Sequence, residues 1–263
     1  MVKQFISNLW LDYSVRLYPS STNIHQIVSH YGGITNDHFA LRTLSLPKIN
    51  VQSISFLLQN IGYKPKASYF FRKKKLYAEH FEHNDVKCPK IFLSQLNLQD
   101  CSESLQKLCC EKFSHISFDH NNIDFLFSGK TWDISIHDYE TCLKESEYAA
   151  WFLAHGFGAN HFTISSNALS KIKSLSELNE ILLQNNIIMN KNGGLIKGSE
   201  TLGLEQSSTM ADHVPVQFID GLFYIPGGFY EFSQRYKCKE NGQIFNGFIE
   251  ASADKIFEST NKL

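Results

Sequence analysis

Two stretches of the sequence, Asp37-His38-Phe39-Ala40-Leu41 and Asn160-His161-Phe162-Thr163-Ile164, share an Asx-His-Phe pattern with an aliphatic residue two positions later. Both stretches have the residue pattern of a β-strand. The tetrapeptide Leu-Leu-Gln-Asn follows in each half, starting at Leu57 and at Leu182, which lie 19 and 21 residues beyond the two histidines. Because two matches recur in the same order at nearly the same offset, the sequence predicts a duplicated unit.

The two halves also share an order of predicted elements, in which a strand is followed by a helix and then by further strands. The elements of the first half are a strand at 36–43, a helix at 51–61 and strands at 69–71, 76–81 and 91–93. Those of the second half are a strand at 159–165, a helix at 175–184 and strands at 187–189, 214–218, 222–224 and 229–232. We therefore expect pseudo-repeat modules at about 34–100 and 157–240.

The remaining sequence is predicted to be mostly helical. An N-terminal segment, 1–33, contains helix patterns at 5–17 and 24–31, and a helix-containing insertion, 101–156, separates the modules. The apolar run at 148–153 predicts a buried helix inside that insertion. Since no linker rich in Pro, Gly and Ser separates the halves, we expect one globular domain spanning 1–263.

The composition excludes a disordered chain and argues against a nucleic-acid-binding protein. The 263 residues are 43% hydrophobic and include 21 Phe and 11 Tyr, which is enough apolar surface to build a core. The 25 Lys and Arg nearly cancel the 26 Asp and Glu, so no overall field attracts nucleic acid or an anionic membrane. We therefore expect neither nucleic acid nor a membrane among the protein's partners.

The sequence shows neither a membrane span nor a secretion signal. No run reaches the roughly 20 apolar residues that a transmembrane helix needs, and the first six residues lack a signal-peptide pattern. The six cysteines have no zinc-site spacing and are expected to be free thiols. These observations predict a soluble, cytoplasmic protein.

A metal site is the chemistry that the duplication favours. His38 and His161 would lie at equivalent strand positions and could converge on one centre, where a metal such as Fe(II) would need an anionic third ligand. Glu231 is the best candidate, since it lies among aromatic residues on a predicted strand, and a carboxylate in such a setting needs a partner. The alternative interpretation is that both histidines are structural and that Glu231 pairs with Arg235.

Arg42 is the candidate for binding a substrate carboxylate. It lies four residues beyond His38, so on a strand both side chains would share a face, roughly 13 Å apart at about 3.3 Å per residue. A guanidinium can reach back over part of that distance and bind a carboxylate through two hydrogen bonds. The alternative is a surface ion pair.

Weaker candidates for the pocket are His80, Ser208 and Arg235. His80 could form part of the pocket wall, although it cannot share a metal with His83, because the two would face opposite sides of a strand. Ser208 lies in Gln206-Ser207-Ser208-Thr209, whose hydroxyl groups could line a pocket, but a turn is the simpler interpretation.

Taken together, these motifs resemble one known family. The matching segments are Asp37–Thr43, His80–His83, Pro89–Ser94, Asn160–Thr163 and Tyr230–Arg235. Their order and spacing are similar to those of the 2-oxoadipate dioxygenase/decarboxylase family, also called hydroxyglutarate synthase, within the vicinal-oxygen-chelate superfamily. The resemblance runs from about residue 5 to residue 250. One departure is Gln95, where the family is expected to favour glutamate.

The resemblance implies a fold, a cofactor and a reaction. The fold would be α+β, an open β-barrel built from paired β-α-β-β-β modules with additional helices. A non-haem Fe(II) would be held by His38, His161 and Glu231, and Arg42 would bind the substrate carboxylate. The enzyme would convert 2-oxoadipate, a 2-oxo dicarboxylic acid, and O2 into 2-hydroxyglutarate and CO2 in lysine catabolism. Two alternatives stay open, another metalloenzyme of the superfamily (an isomerase, a lyase or a ring-cleaving dioxygenase) and a metal-free binding protein.

Overall fold

Eight of the ten strands form one curled mixed sheet in the computed structural model, which describes residues 1–114, 116, 118–119 and 121–260. The strands are β1 Asn36–Leu44, β2 Tyr63–Phe71, β3 Leu76–His83, β4 Lys90–Leu96, β5 Ala159–Ser165, β6 Lys197–Ser199, β7 Leu204–Ser208, β8 His213–Phe218, β9 Gly221–Pro226 and β10 Phe229–Arg235. The helices are α1 Val2–Asp12, α2 Ser21–Ser29, α3 Val51–Asn60, α4 Glu103–Phe113, α5 Ile136–Glu145, α6 Glu147–His155, α7 Leu175–Gln184 and α8 Glu250–Ile256.

The strand order shows two modules of the same design joined at the centre of the sheet. The order is β2-β3-β4-β1-β5-β10-β7-β6. In each module the first strand pairs in parallel with the last, β1 with β4 and β5 with β10. The two first strands, β1 and β5, pair antiparallel with each other. This topology confirms the predicted α+β fold with paired β-α-β-β-β modules in an open barrel.

The helix of each module begins at a polar cap and buries an apolar face against its own strands. The Asn50 side chain accepts a hydrogen bond from the Ser53 backbone N–H at the start of α3, and Ser174 caps α7 in the same way. Ile54 and Leu57 on α3 are buried, as are Leu178 and Leu182 on α7. Each fully buried leucine contributes about 2 kcal/mol, so packing rather than helix propensity stabilises these helices.

Gln95, the departure from the family pattern, has a structural position. It lies on the opposite face of β4 from Phe92, and its Oε1 accepts a hydrogen bond from the Val51 backbone N–H at the start of α3, at 2.9 Å. Gln95 therefore stabilises α3, the helix of the first module, and faces away from the side of the sheet that carries the two histidines.

The predicted helices are confirmed, including the buried one. Residues Tyr148–His155 of α6 are all buried, and the indole N–H of Trp151 donates to the Gly227 carbonyl oxygen at 2.8 Å. The first predicted helix, 5–17, is α1 continued by a π-helical turn at Tyr13–Leu17. All six cysteines are free, as predicted. Within the described residues, no helix is both long and apolar enough to cross a membrane.

One expectation for the second module is wrong, and two features of the module are not evident from the sequence. Residues 187–189 form no strand, and only a single bridge joins Met189 to Thr209. The edge position belongs instead to β6, which the sequence does not reveal because it is short and contains Gly198 at φ +84, where a Cβ would lie 2.1 Å from a backbone oxygen. The strands predicted at 214–218 and 222–224 are confirmed as β8 and β9, which form a separate hairpin, inserted in the chain between β7 and β10, outside the eight-stranded sheet.

The predicted turn at 206–209 is also wrong, since Gln206 and Ser208 lie in β7. Polar residues occupy this interior strand because their side chains find partners. Gln206 Nε2 donates to Glu231 Oε1 at 2.6 Å, and the Ser207 hydroxyl donates to Asn179 Oδ1 at 2.7 Å. Turn propensity fails here because buried hydrogen bonds satisfy groups that would otherwise favour a solvated loop.

Candidate metal centre

The structure brings His38, His161 and Glu231 together on the concave face of the sheet. One potential ligand atom from each residue lies within 4.8 Å of the other two, and all three side chains are buried. His38 Nε2 is 3.5 Å from Glu231 Oε1, and His161 Nε2 is 3.3 Å from Glu231 Oε2. The residues come from β1, β5 and β10, three neighbouring strands at the junction of the modules. This group can hold a metal ion.

Pseudo-symmetry explains why the centre has three donors rather than four. In the second module, Thr163 lies two residues beyond His161, and the residue opposite Thr163 is Glu231. In the first module, Ala40 lies two residues beyond His38, and the residue opposite Ala40 is Phe92. Phenylalanine offers no ligand atom, so the set is two histidines and one carboxylate. Such a set leaves coordination positions open for substrate and oxygen and is typical of non-haem Fe(II) oxygenases.

Each histidine is held by the side chain of the residue that precedes it. His38 Nδ1 lies 2.8 Å from Asp37 Oδ1, and His161 Nδ1 lies 3.3 Å from Asn160 Oδ1. Because a carboxylate only accepts hydrogen bonds, Nδ1 of His38 carries the proton and Nε2 keeps its lone pair. At present that lone pair accepts a hydrogen bond from the Thr163 hydroxyl at 3.1 Å. Both imidazoles thus direct Nε2 to the centre.

The electrostatics of the three residues suit a bound cation. Burial lowers the pKa of His161 well below its usual value, and the neighbouring His38 lowers it further, so His161 is neutral and can act as a ligand. Burial raises the pKa of Glu231, against the opposing effects of His38 and the hydrogen bond from Gln206. A divalent metal would stabilise the buried carboxylate that lacks a full counter-charge.

Asp37 connects the centre to Arg235. The guanidinium binds the carboxylate with two hydrogen bonds, Nε to Oδ2 at 2.6 Å and Nη2 to Oδ1 at 2.9 Å. Burial alone would raise the pKa of Asp37, but Arg235 and the His38 hydrogen bond together hold it well below its usual value. The pairing of Arg235 with Glu231, which the sequence left open, is replaced by this pairing with Asp37.

Sequence reasoning missed Asp37, for a geometric reason. Adjacent strand residues normally point to opposite faces, so Asp37 would be expected to lie away from His38. The pairing of β1 with β5 is irregular between Asn36 and His38, where a residue is skipped in the register. Such bulges redirect side chains near active sites. The Asx residue before each histidine was the available signal.

Arg42 lies on the same face as His38 and is 3% exposed. Its Nη1 donates to Glu147 Oε1 at 3.0 Å, and the guanidinium lies over the rings of Tyr148 and Trp151, at 4.8 and 5.0 Å. Its Nη2 makes only a long contact of 3.4 Å with the Thr260 hydroxyl. Its Nε has no hydrogen-bond partner among the described residues. One edge of the guanidinium, formed by Nε and Nη2, is therefore nearly unsatisfied.

His80 and Ser208 occupy equivalent positions in the two modules, opposite Phe92 and Glu231 respectively. His80 Nδ1 is 2.8 Å from the Tyr69 hydroxyl, and burial lowers the pKa of His80 to about 4. The Ser208 hydroxyl is 2.9 Å from the hydroxyl of Ser259. Both residues therefore flank the centre on the concave face but are engaged with protein groups.

A C-terminal segment covers the centre. Helix α8 packs against β2 at one edge of the open barrel and against β6 and β7 at the other. The ring of Phe248 contacts the ring of His38 with 4.7 Å between centroids. The remaining cavity is about 20 Å³ and is lined by the three candidate ligands together with Phe92, Gln206, Phe248, Ala253, Ile256 and Phe257. Such a volume holds about one water molecule.

Comparisons with known proteins show the family to which the chain belongs. A family model for 2-oxoadipate dioxygenase/decarboxylase matches residues 117–243. A 2-oxoadipate dioxygenase/decarboxylase of Oryza sativa subsp. japonica is 34% identical over 97% of this chain and 78% of its own length. That protein is named chloroplastic/amyloplastic, so a cytoplasmic location for this chain stays a prediction.

Two solved structures are similar over nearly the whole chain. One is a Shewanella frigidimarina NCIMB 400 protein that carries the name of a hydrolase, with a TM-score of 0.90, 42% identity and coverage of 95% of this chain and 98% of that one. The other is the hydroxyglutarate synthase of Oryza sativa in complex with 2-oxoadipate, with a TM-score of 0.89, 32% identity and coverage of 98% and 91%. With its modules, its three candidate ligands and these relatives, the chain belongs to the 2-oxoadipate dioxygenase/decarboxylase family, a family of oxygen-incorporating oxidoreductases.

Proposed function

We propose that this protein is a non-haem Fe(II)-dependent enzyme that converts 2-oxoadipate and O2 into 2-hydroxyglutarate and CO2, a step of lysine catabolism. The observation that carries the proposal is the buried group of two histidines and one carboxylate, with Nε2 of both imidazoles directed to one point. The names of the relatives give the reaction, and the bound 2-oxoadipate in the rice structure supports the substrate class.

His38, His161 and Glu231 are the residues that would hold the iron. When bound, Fe(II) would supply open coordination positions for substrate and O2 and would transfer electrons from the substrate to O2. The protein prepares for this by holding both imidazoles through Nδ1, so that Nε2 faces the centre, and by fixing one carboxylate oxygen of Glu231 through Gln206 at 2.6 Å. A site that needs little rearrangement on metal binding loses little affinity to reorganisation.

Arg42 is the proposed partner of the second carboxylate of the substrate. Its Nε and Nη2 form the edge that matches a carboxylate with two parallel hydrogen bonds, and both are poorly satisfied. Glu147 and the rings of Tyr148 and Trp151 hold the guanidinium in place from its other sides. Since Arg42 has a fixed distance from the centre, it selects diacids by the length between their two carboxylates.

The reaction balances without a further reductant. Carbon 1 of the 2-oxo acid leaves as CO2, one oxygen atom of O2 completes the new carboxylate at carbon 2, and the other becomes the hydroxyl group on the neighbouring carbon.

Phe92, Phe248 and Phe257 line the cavity and would exclude bulk water from the reacting carbons.

Substrate entry requires a movement of the cover. A six-carbon dicarboxylate is many times larger than the single water that the cavity of about 20 Å³ holds. Helix α8 and Phe248 form the wall that is not part of the sheet, so we propose that this wall moves to admit the substrate.

The test is oxygen consumption by protein loaded with Fe(II) under anaerobic conditions and then mixed with 2-oxoadipate and O2. We expect one CO2 for each O2 consumed, slower turnover of shorter and longer 2-oxo diacids, and no turnover by His161→Ala. His137→Ala, which changes an exposed histidine on α5, is the matched control and should be fully active. Bound metal without oxygen consumption for any diacid would overturn the proposal and favour another metalloenzyme of the superfamily. Failure to bind metal would favour a binding protein.

A further inference from the structure

We propose that Arg235 is a positioning residue that acts on His38 through Asp37 and at the same time fixes the chain segment that carries Phe248 over the centre. The inference rests on the proposed metal site, but it concerns residues outside the ligand set. The buried guanidinium of Arg235 has two tasks: it orients the candidate ligand His38, and it places Phe248 over the centre.

The first task depends on a chain of short hydrogen bonds. Arg235 holds both oxygens of Asp37, at 2.6 and 2.9 Å, and one of those oxygens accepts the proton on His38 Nδ1 at 2.8 Å. The side chains of Asp37 and Arg235 are each 6% exposed, so water screens the pair very little. Asp37 would otherwise rotate about its side-chain bonds. Because Arg235 fixes it, the His38 ring has one orientation and one tautomer.

The second task uses the opposite side of the same guanidinium. Nη1 of Arg235 donates to the carbonyl oxygens of Phe245 and Gly247, at 2.9 and 2.8 Å. The guanidinium carbon lies 5.3 Å from the centre of the Phe248 ring. These contacts place Phe248 against the His38 ring. Since Nε, Nη1 and Nη2 are all engaged, Arg235 is better suited to positioning than to binding substrate.

The second module shows how a candidate ligand histidine is held when no arginine fixes the side chain behind it. Asn160 occupies the position of Asp37, but its contact with His161 is longer, at 3.3 Å, and its side-chain nitrogen has no hydrogen-bond partner among the described residues. A neutral amide oxygen is a weaker acceptor than a carboxylate that an arginine holds. His38 is therefore the firmly oriented ligand and His161 the more adaptable one.

Metal titration tests the first task independently of turnover. Co(II) is added to the metal-free full-length protein, and its visible absorption bands report both affinity and coordination geometry. We expect Arg235→Gln and Asp37→Asn each to weaken Co(II) binding about 10- to 100-fold, as loss of partners behind metal-bound histidines typically does. Arg235→Lys, which keeps the charge but not the paired geometry, should lie between these variants and the wild type.

Arg16, whose side chain is 32% exposed, provides a control, because it makes the same set of hydrogen bonds away from the centre. It binds both oxygens of Asp12, at 2.7 and 2.8 Å, and the carbonyl oxygens of His155 and Phe157, both at 2.9 Å. Arg16→Gln therefore removes a comparable set of bonds and should leave Co(II) affinity unchanged. Equal losses in Arg16→Gln and Arg235→Gln, or unchanged affinity in Arg235→Gln and Arg235→Lys, would overturn the inference.

Hydrogen exchange separates the two tasks. The Phe248 backbone N–H donates to the Tyr69 hydroxyl at 3.2 Å, so its exchange reports the position of the cover. Arg235→Gln should accelerate this exchange, whereas Asp37→Asn, which leaves the carbonyl contacts of Arg235 in place, should not. Unaltered exchange in Arg235→Gln would refute the second task. None of these readouts needs 2-oxoadipate turnover, so failure of the proposed reaction would be distinguishable from failure of this inference.

Discussion

Replacement of Arg42 by glutamine should change which acids the enzyme accepts. The substitution removes the guanidinium edge formed by Nε and Nη2, which is nearly unsatisfied in the structure and is the proposed partner of the second substrate carboxylate. Hydrogen bonds to charged groups contribute about 1.5–3 kcal/mol each, and a buried pair of them gives about 3 kcal/mol after desolvation, which corresponds to about 100-fold in KM. Arg42→Lys keeps the charge without the paired geometry and should lose about 10-fold.

The assay compares 2-oxoadipate with 2-oxohexanoate, which has the same chain length but no second carboxylate. The wild type should prefer the diacid, and Arg42→Gln should lose that preference through KM while kcat changes much less. Arg72→Gln, at an exposed arginine between β2 and β3, is the control for general loss of positive charge. A variant at Arg42 that keeps the preference for the diacid would refute the assignment, because Arg42 is the one residue proposed to bind the second carboxylate, which 2-oxohexanoate lacks.

Three further predictions concern the ligands, the cover and the pH dependence. Gln206→Leu should weaken Co(II) binding without abolishing it, because Glu231 loses its 2.6 Å hydrogen bond but remains in place; an unchanged affinity would contradict the orienting role. Phe248→Ala should enlarge the cavity of about 20 Å³ and raise the uncoupled fraction of turnover, in which water enters and glutarate, CO2 and H2O2 form in place of 2-hydroxyglutarate and CO2; an unchanged yield of one 2-hydroxyglutarate for each CO2 would argue against the cover. Burial lowers the pKa of His155 to about 3, below the value near 6.5 of an unfolded histidine. Because the unfolded chain then binds a proton that the folded chain does not, stability should fall as the pH decreases from about 6.5 towards 3, and His155→Gln should reduce this loss in urea unfolding at pH 7 and pH 5.

The sequence predicts much of the fold because the duplicated pattern is local and repeated. Strand β1, helix α3 and their counterparts β5 and α7 follow from alternation, caps and apolar spacing. Strand β6 could not be predicted, since three residues with a glycine carry no periodic signal. The polar strand β7 could not be predicted either, because its stability comes from buried partners that are distant in the sequence.

The sequence likewise indicates some residues of the candidate site but not the contacts between them. Equivalent positions in the repeat indicate His38 and His161, and an isolated carboxylate among aromatic residues indicates Glu231. The role of Asp37 depends on an irregular register between β1 and β5, and the pairing of Arg42 depends on Glu147 in the insertion between the modules. Both are tertiary relationships that no local pattern encodes. The sequence indicates Arg235 as a candidate site residue, but it does not indicate that Asp37 is its partner.

The differences between equivalent positions explain how a symmetric scaffold forms an asymmetric centre. A strictly symmetric pair of modules would place a carboxylate at both Phe92 and Glu231, and four protein donors would leave less room for substrate and oxygen. In this chain the second module supplies the candidate anionic ligand Glu231, and the first supplies an apolar wall at Phe92.

The same division applies to the residues around the ligands. The first module carries Arg42, the proposed partner of the second substrate carboxylate. Its counterpart in the second module, four residues beyond His161, is Ser165. The first module also carries the charged Asp37, and the second carries the neutral Asn160. The proposed reaction would require a substrate to bind on one side of the metal while the protein holds the other side firmly. Exchanging the pair, with Asp37→Asn and Asn160→Asp in one chain, should therefore restore little of the metal affinity lost in Asp37→Asn, because Arg235 stands only beside position 37. Full recovery of Co(II) affinity in that double variant would show that the acidic side chain matters and its arginine partner does not.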